Sequence, residues 1–439
     1  VLFCLTKNKK GVLTVVKTIS LAQDVYLHII PTTQFATTRI EVNFSEPLNQ
    51  ERMGDRILIA NMLENSAKKY PSQTDLARKL SEMYGAAFGV ETVKNGQVHT
   101  LRVRLNLVHD VFTEPQKTLL PEGFAFLAEM LNEPLGTDTE GFDQTIFNRQ
   151  QDNILDELAG LEEDRPYVAR RNALDMYYDD QAMALPAYGS SELVESSTGL
   201  RAWQTWADSL AHNRVDIIVL GDVQEEDLKQ ACDLLGLTDR DCAVSPYYEQ
   251  AAPENAKTAM VTTDANQTQI VQIYQLNVSD EERFSAYAFD DIFGGVAVSR
   301  LFNQVREVQG LAYTVSSDFN YYNRTVTVTA GVDQHRLAEA KDAIMAELTR
   351  LQEELVSEDE LATIKKLMLT SYLTGLDSQS QLTDRAFDQT LSNRHLTQVE
   401  WREKLDRVTV EDVRQAARKM TLAVDYTAIG ASHESSEEI

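Results

Sequence analysis

An internal repeat constrains this chain more than any other feature of its sequence. Tyr84–Leu107 and Gln309–Val332 align without a gap at a constant offset of 225. Gly85 falls on Gly310, Ala87 on Ala312, Phe88 on Tyr313 and Asn95 on Asn320. The set Leu101, Val103, Leu105 and Leu107 falls on Val326, Val328, Ala330 and Val332, with the period of a strand that buries one face. Val215–Gly221 likewise resembles Val424–Gly430. A unit that occurs twice must bury its apolar faces within each copy or against the other copy. The repeat predicts an α+β fold of two similar domains, each a mostly antiparallel sheet packed with helices, facing each other across a cleft. A length of 439 residues also calls for more than one core. Between the copies, Pro246–Lys257 (PYYEQAAPENAK) has two prolines and no periodicity and reads as a linker. The expected domains are residues 1–245, a linker at 246–257, and residues 258–439.

Taken in order, Val25–Pro31 and Thr38–Phe44 read as strands and Gly54–Ala67 as a helix stopped by Lys68–Pro71. Ser72 and Asp75 cap a second helix that runs to about Met83. A hairpin follows around Lys94–Gln97, with Arg102 and Arg104 on the face opposite the leucines. Gly123–Asn132 and Gly141–Leu161 read as helices. Arg165-Pro166 interrupts the second, and helical pattern resumes through Tyr178. Val215–Leu220 is a strand of the buried kind, with a helix at Gln224–Leu235. After the linker the order restarts with strand Gln269–Leu276 and helices Glu281–Phe293 and Ser299–Val308. A turn at Gly310 leads into a strand from about Leu311. Helices at Leu337–Leu355, Ser357–Thr374, Gln381–Leu391 and Thr409–Met420 precede a last strand, Val424–Ile429. The tail His433–Ile439 is polar and acidic and is expected to fray.

Charge narrows the partners. Lys plus Arg total 41 against 68 Asp plus Glu, a net charge of −27, so nucleic acid and anionic lipid are repelled. Cys4, Cys232 and Cys242 are too few and too far apart for a disulfide framework or a thiolate metal site. No apolar run approaches a membrane span, so membrane insertion is not expected. The opening VLFCLTKNKKGVLTVV has a basic cluster without a signal-like apolar core and cleavage site. The expected location is the cytoplasm.

Within Leu301–Ser317, Arg306 and Tyr313 lie seven residues apart across the Gly310 turn. A guanidinium fork and a phenol both donate, and so placed they can grip the carbonyls of an extended peptide. The local sequence by itself fits better a half-buried tyrosine and an arginine solvated at a helix end. Other chemistry is missing from the sequence. Gly294-Gly295 is followed by no Gly-Lys-Ser/Thr, there is no Gly-x-Ser-x-Gly, and no spacing singles out a Ser/His/Asp triad. None of the seven histidines forms an i, i+4 pair with another.

The repeat, the helix before it and the phrase GGVAVSRLFNQVREVQGLAY (Gly294–Tyr313) together resemble the insulinase-like peptidases, the pitrilysin or mitochondrial-processing-peptidase (M16) family. The resemblance covers nearly the whole chain and implies two halves that form a peptide-cleaving chamber. In that family one half binds zinc through His-x-x-Glu-His on its first helix plus a distant Glu. Counting back from Lys68-Lys69-Tyr70-Pro71, the histidine positions fall here on Ile57 and Asn61 and the glutamate on Ala60. No histidine lies between His28 and His99, so no shift of alignment restores the motif. The distant ligand position falls on Glu157, within Asn153–Leu158 (NILDEL), on a helix where a lone carboxylate is ordinarily solvated or paired. Zinc catalysis needs about three protein ligands, an activated water and a base, and these residues do not supply them. No metal or other cofactor is therefore expected in this chain.

The half opposite the zinc supplies an Arg and a Tyr that hold the substrate backbone in this family, and Arg306 and Tyr313 match both residues and their spacing. The family includes paired subunits, one bearing the zinc motif and the other the Arg/Tyr pair. The opening IIPTTQFATTRIEVNFSEPLNQE also resembles a bacterial subfamily that occurs beside a zinc-bearing relative. The resemblance implies a non-catalytic subunit, inactive alone, that closes the chamber and holds peptide substrate for a zinc-bearing partner in a heterodimer. A homodimer is the expected alternative state of the isolated chain. The competing expectations are a stand-alone scaffold or peptide-binding protein, and a self-sufficient peptidase with a displaced metal site.

Overall fold

A computed structural model describes residues 16–114 and 117–430. The N-terminal segment that bears Cys4 and the tail His433–Ile439 lie outside the described residues.

The first half opens with strands β1 (Lys17–Ala22), β2 (Val25–Pro31) and β3 (Thr37–Pro47), then helices α1 (Gln50–Asn65) and α2 (Gln73–Glu82). The hairpin β4 (Ala87–Asn95) and β5 (Val98–Val108) follows, then α3 (Leu119–Asn132) and a short ladder of β6 (Gly136–Thr137) and β7 (Gly141–Phe142). Next come α4 (Gln144–Leu161), α5 (Arg165–Tyr177), the short α6 (Gln181–Ala184) and α7 (Ser191–Glu195), α8 (Gly199–His212), β8 (Arg214–Gly221) and α9 (Glu225–Asp233). The second half starts with β9 (Lys257–Thr262), β10 (Thr268–Leu276) and α10 (Arg283–Asp290), followed by two π-helical stretches at Asp291–Gly295 and Leu301–Val308. The hairpin β11 (Ala312–Asn320) and β12 (Thr325–Val332) leads to α11 (Leu337–Glu353) and α12 (Glu358–Gly375). The chain ends with α13 (Gln379–Leu391), α14 (Gln398–Arg407), α15 (Val410–Arg418) and β13 (Met420–Ile429).

The first sheet has the order β1-β2-β8-β3-β5-β4 and the second β9-β13-β10-β12-β11. In each, one pair is parallel (β2 with β8, β13 with β9) and the other neighbours run antiparallel. Position by position the second sheet repeats the first, with no strand among the described residues in the place of β1. The leucines of β5 and the valines of β12 point into separate cores, one per half.

Several boundaries differ from the sequence reading, for local reasons. Helix α1 begins at Gln50, not Gly54, because the Asn49 side chain accepts from the Glu51 N–H and starts the helix a turn earlier. Asp143 caps α4 in the same way, so Gly141 belongs to a strand. Asp164 caps α5, with Pro166 in its first turn, where the missing N–H costs nothing. The stretch Ser299–Val308 coils as a π-helix from Leu301, with the Gln309 N–H reaching the Gln304 carbonyl at 3.1 Å.

The two halves interlock by exchanging helices. Helix α5 of the first half buries Ala169, Ala173 and Tyr177 against Val271 and Ile273 of β10 and Val424 and Tyr426 of β13. Helix α13 of the second half buries Leu382, Ala386, Phe387 and Leu391 against Ile30, Val98, Ile218 and Leu220 of the first sheet. A fully buried Leu or Phe contributes about 1.5–3 kcal/mol, more than any surface ion pair, so this exchange dominates the joint. It also explains why β3 is buried on both faces, Glu41, Asn43 and Ser45 included. The second face of β5 is not open to water either. Arg102 is buried, stacks over Phe387 at 5.1 Å and pairs with Asp384 at 2.5 Å.

Candidate functional site

The phrase Gly294–Tyr313 separates into residues the fold uses and residues it leaves free. A Cβ on Gly294 would lie 2.6 Å from the Ser317 nitrogen, so only glycine lets the chain approach β11 this closely. Ser299 accepts from the Phe302 N–H at 3.3 Å. Arg300 pairs with Glu360 of α12 through two nitrogens, at 2.9 and 3.0 Å. Leu301 and Val305 are fully buried, and Leu311 and Ala312 close the core behind them. Gly310 turns the chain at φ +59°, and Arg336 donates to its carbonyl at 3.3 Å. These residues build the turn and hold it against β11 and α12.

Arg306 and Tyr313 take no part in that construction. The Arg306 side chain is 42% exposed, pairs among the described residues with the neighbouring Glu307 at 3.5 Å, and lies 4.7 Å over the Phe302 ring. Tyr313 is 55% exposed. It is the extra residue of a β-bulge on an edge strand: Ala312 pairs with Val332 and Thr314 with Gly331. The Thr314 hydroxyl takes up the Gly331 N–H at 3.2 Å. A bulge re-aims the side chain it carries, and here it turns a phenol out to solvent. The sequence reading missed the platform under Arg306, although Phe302 and Arg306 stand at i, i+4 and so share one face.

The positions of the family's zinc ligands are occupied otherwise. Ala60 is fully buried, and Ile57 and Asn61 are half-buried on α1. The Asn61 amide donates back to the Ile57 carbonyl at 3.0 Å, within its own helix. Helix α4 packs on α1 through Ile154 and Leu158, while Glu157 points to solvent. Among the described residues no group of three or more His, Cys, Asp or Glu is placed to hold a metal ion. An aliphatic chain, a methyl group and a self-bonded amide do not fit zinc, and no step is derived through it. The charged residues of α1 are structural. Arg56 is wholly buried, donates to the Phe44 and His99 carbonyls at 2.8 and 3.2 Å, and pairs with Glu46 at 3.0 Å. Burial pushes its guanidinium down to about 10.

Between the halves lies a cavity of about 420 Å³, walled by Arg170 and Arg171 of α5, Asp318 and Asn320 of β11, and Lys94. The Lys94 ammonium is held by the carbonyls of Ala182, Met183 and Leu185, and burial lowers it to about 8. Neither Arg306 nor Tyr313 lines this cavity. Tyr313 sits five residues, about 17 Å of strand, from Asp318. Both side chains of the pair are exposed to solvent instead. No helix among the described residues is long and apolar enough to cross a membrane.

The sequence profile described as Peptidase M16 inactive domain matches residues 206–368. The chain is similar to the Bacillus subtilis protein described as probable inactive metalloprotease YmfF. The two are 21% identical over 402 residues, 91% of this chain and 94% of that protein. A second Bacillus subtilis protein, described as uncharacterized zinc protease YmxG, is 23% identical over 283 residues, 64% of this chain and 69% of that protein. Among solved structures, that of a conserved protein from Enterococcus faecalis has a TM-score of 0.91 at 26% identity, covering 95% of this chain and 99% of that one.

Proposed function

Because this chain belongs to the insulinase-like M16 peptidase family and lacks its zinc motif, we propose that it is the non-catalytic subunit of a zinc peptidase heterodimer. In this reading it closes the chamber and holds extended peptide for a partner that carries the zinc. One observation carries the proposal. In the Gly294–Tyr313 phrase the fold consumes the glycines, Ser299, Arg300 and the aliphatic residues, and leaves the Arg306 and Tyr313 donors exposed. Two donors that the described residues leave largely exposed are available to peptide carbonyls. Their exposure leaves them open to a second subunit, as an enclosure completed by a partner requires. The partner is expected to be a relative that bears His-x-x-Glu-His. Bacillus subtilis holds relatives described both as an inactive metalloprotease and as a zinc protease, which is compatible with such a pair.

The test is co-purification with the His-x-x-Glu-His relative of the same genome, followed by metal analysis and a peptide-cleavage assay. The chain alone is expected to cleave nothing and to retain well under one zinc after chelation and reloading. The pair is expected to cleave and to hold zinc in the partner. Stoichiometric zinc and cleavage in the purified single chain would overturn the proposal. Peptide binding with no zinc-bearing partner would favour the stand-alone scaffold.

A further inference from the structure

The second half contains a pocket that the Arg/Tyr surface does not use. Helices α10, α12, α13 and α14 enclose a cavity of about 370 Å³, within the range of small-molecule sites. Three of these helices, α10, α12 and α13, are by chain order the counterparts of α1, α4 and α5, so the cavity is bounded by the counterparts of the helices that carry Ile57, Ala60, Asn61 and Glu157.

Its polar lining is unevenly satisfied. Arg283 is spoken for: it reaches Asp388 at 3.7 Å and the Tyr287 hydroxyl at 3.3 Å. Arg394 is held by Asp280 and the Tyr321 hydroxyl. Arg385 has no such partner. Its guanidinium lies 4.0 Å over the Tyr372 ring, which itself stacks on Trp401 at 4.1 Å, and its polar contact is a long 3.5 Å approach to the Tyr372 carbonyl. It forms no ion pair with any described residue, although this is a chain of net charge −27. Asp291 lines the same cavity, is half-buried, and its carboxyl has neither a hydrogen bond nor an ion pair among the described residues. Burial pushes its carboxyl up to about 6. An unpaired charge taken out of water is costly, and this pocket carries one of each sign. The remaining lining mixes apolar Phe284, Met368 and Leu396 with the neutral polar Ser371, Gln381 and Gln389.

We infer that this pocket binds a small zwitterion with an apolar side chain, a free amino acid or a short peptide. The ligand carboxylate would take the open fork of Arg385, the ammonium would pair with Asp291, and the side chain would lie against Phe284, Met368 and the Tyr372–Trp401 stack. A planar guanidinium already fixed on an aromatic ring is suited to bidentate carboxylate recognition and loses little freedom on binding. A purely anionic ligand would leave Asp291 unpaired and be repelled by it. A purely cationic one would leave Arg385 unpaired.

Isothermal titration calorimetry of the full chain with L-phenylalanine, N-acetyl-L-phenylalanine and L-phenylalaninamide tests the inference. The free amino acid is expected to bind at least about tenfold more tightly than either derivative, since each lacks one charge the pocket pairs. Arg385→Gln should abolish the preference over the amide, and Asp291→Asn the preference over the acetyl form. Arg385→Lys, which keeps the charge in case Arg385→Gln disturbs the stack, should retain part of the preference for the acid. Equal affinity for all three probes, preferences unchanged in both Arg385→Gln and Asp291→Asn, or no heat at about 10 mM would each overturn it.

Discussion

Phe88 and Tyr313 occupy the same place in the two halves, near the start of the edge strand of each hairpin, and the chain treats them oppositely. Phe88 pairs in regular register with Leu105 and meets the Phe126 ring edge-on at 5.1 Å. Tyr313 is pushed out of register by a bulge and exposed. The helix before each strand differs too: α2 is a regular α-helix capped by Ser72, while its counterpart Leu301–Val308 is wound as a π-helix. A duplicated scaffold tolerates one residue left unpaired at an edge, where the ladder is open on one side. There a small change of register converts a packing position into a presenting one. Bulges and π-turns concentrate at functional sites for this reason.

The comparison is tested hardest by exchanging the two side chains in the assembled peptidase. Tyr313→Phe removes only a hydroxyl from an exposed ring and should leave assembly intact. If that hydroxyl donates mainly in the transition state, turnover should fall by about 10²–10³. The mirror change, Phe88→Tyr, adds a hydroxyl in the half where the ring packs and should leave turnover within a factor of about two, a difference of less than half a kcal/mol. Normal cleavage by a properly assembled Tyr313→Phe complex would reduce Tyr313 to a strand residue and the chain to a scaffold.

Each half also buries an aspartate, and the two should respond to pH in opposite directions. Burial alone would raise Asp216, but hydrogen bonds from His28 and Arg214 outweigh it and hold the carboxyl below its ordinary range. Asp216 therefore contributes stability that is present above the unfolded value of 3.8 and lost as pH falls through the folded one. Asp290 is raised to about 7 by burial, which the Ser317 hydroxyl only partly offsets. Between pH 4 and 7 the folded chain then binds the extra proton, so stability falls as pH rises across that window and is level above it. Asp290→Asn should flatten this decline and recover on the order of 2–4 kcal/mol at pH 8 relative to pH 4. Asp216→Asn should instead weaken the fold at neutral pH and flatten the acid arm. Urea titrations across pH 4–8 decide it, and parallel slopes for the two variants would break the contrast.

Much of this architecture was legible in the sequence. The leucines of β5 and their valine counterparts gave both hairpins, and Ser72, Ser357 and Thr409 marked helix starts that their side chains do cap. The Gly310 turn stood at its place. Helix α14 was not read because only Leu405 on it is buried, which leaves no apolar period, although the capping box of Thr397 and Glu400 was there to be seen. Helix α8 was missed as well: its core contact is Trp206 against Phe44 at 5.2 Å, a contact between residues far apart in the chain. The same holds for the exchange of α5 and α13, whose apolar faces are visible while the sheets they cover are not. The bulge at Tyr313 had no local signal, since the aligned Phe88 segment forms none.

A smaller effect separates the two rings as structural residues. Phe88→Ala removes a half-buried ring from its contact with Phe126 and should cost about 2 kcal/mol, below the full-core range because the site is partly open. Tyr313→Ala should change stability by about half a kcal/mol at most. Equal losses in the two variants would mean that the bulged tyrosine packs as its counterpart does.

The smallest expected effect concerns Arg306, and its smallness is the point. The first half has no arginine at the aligned position, where Ser81 is exposed. Its own arginines Arg56 and Arg102 are buried in ion pairs and carbonyl contacts that the fold depends on. Arg306 has an exposed ion pair with its neighbour, worth about 0–1 kcal/mol, and an open stack on Phe302 worth about as much. Side-chain freedom regained on truncation offsets much of both. Arg306→Ala should therefore leave the urea midpoint and slope nearly unchanged, within about half a kcal/mol, while peptide affinity and turnover of the assembled pair both fall. A side chain that the fold does not need and the substrate does is the signature of a presenting residue. A loss of several kcal/mol in the single chain would instead place Arg306 with Arg56 and Arg102, among the arginines that hold the structure together. The separation of the Gly294–Tyr313 phrase into used and unused residues would then fail at its most exposed member.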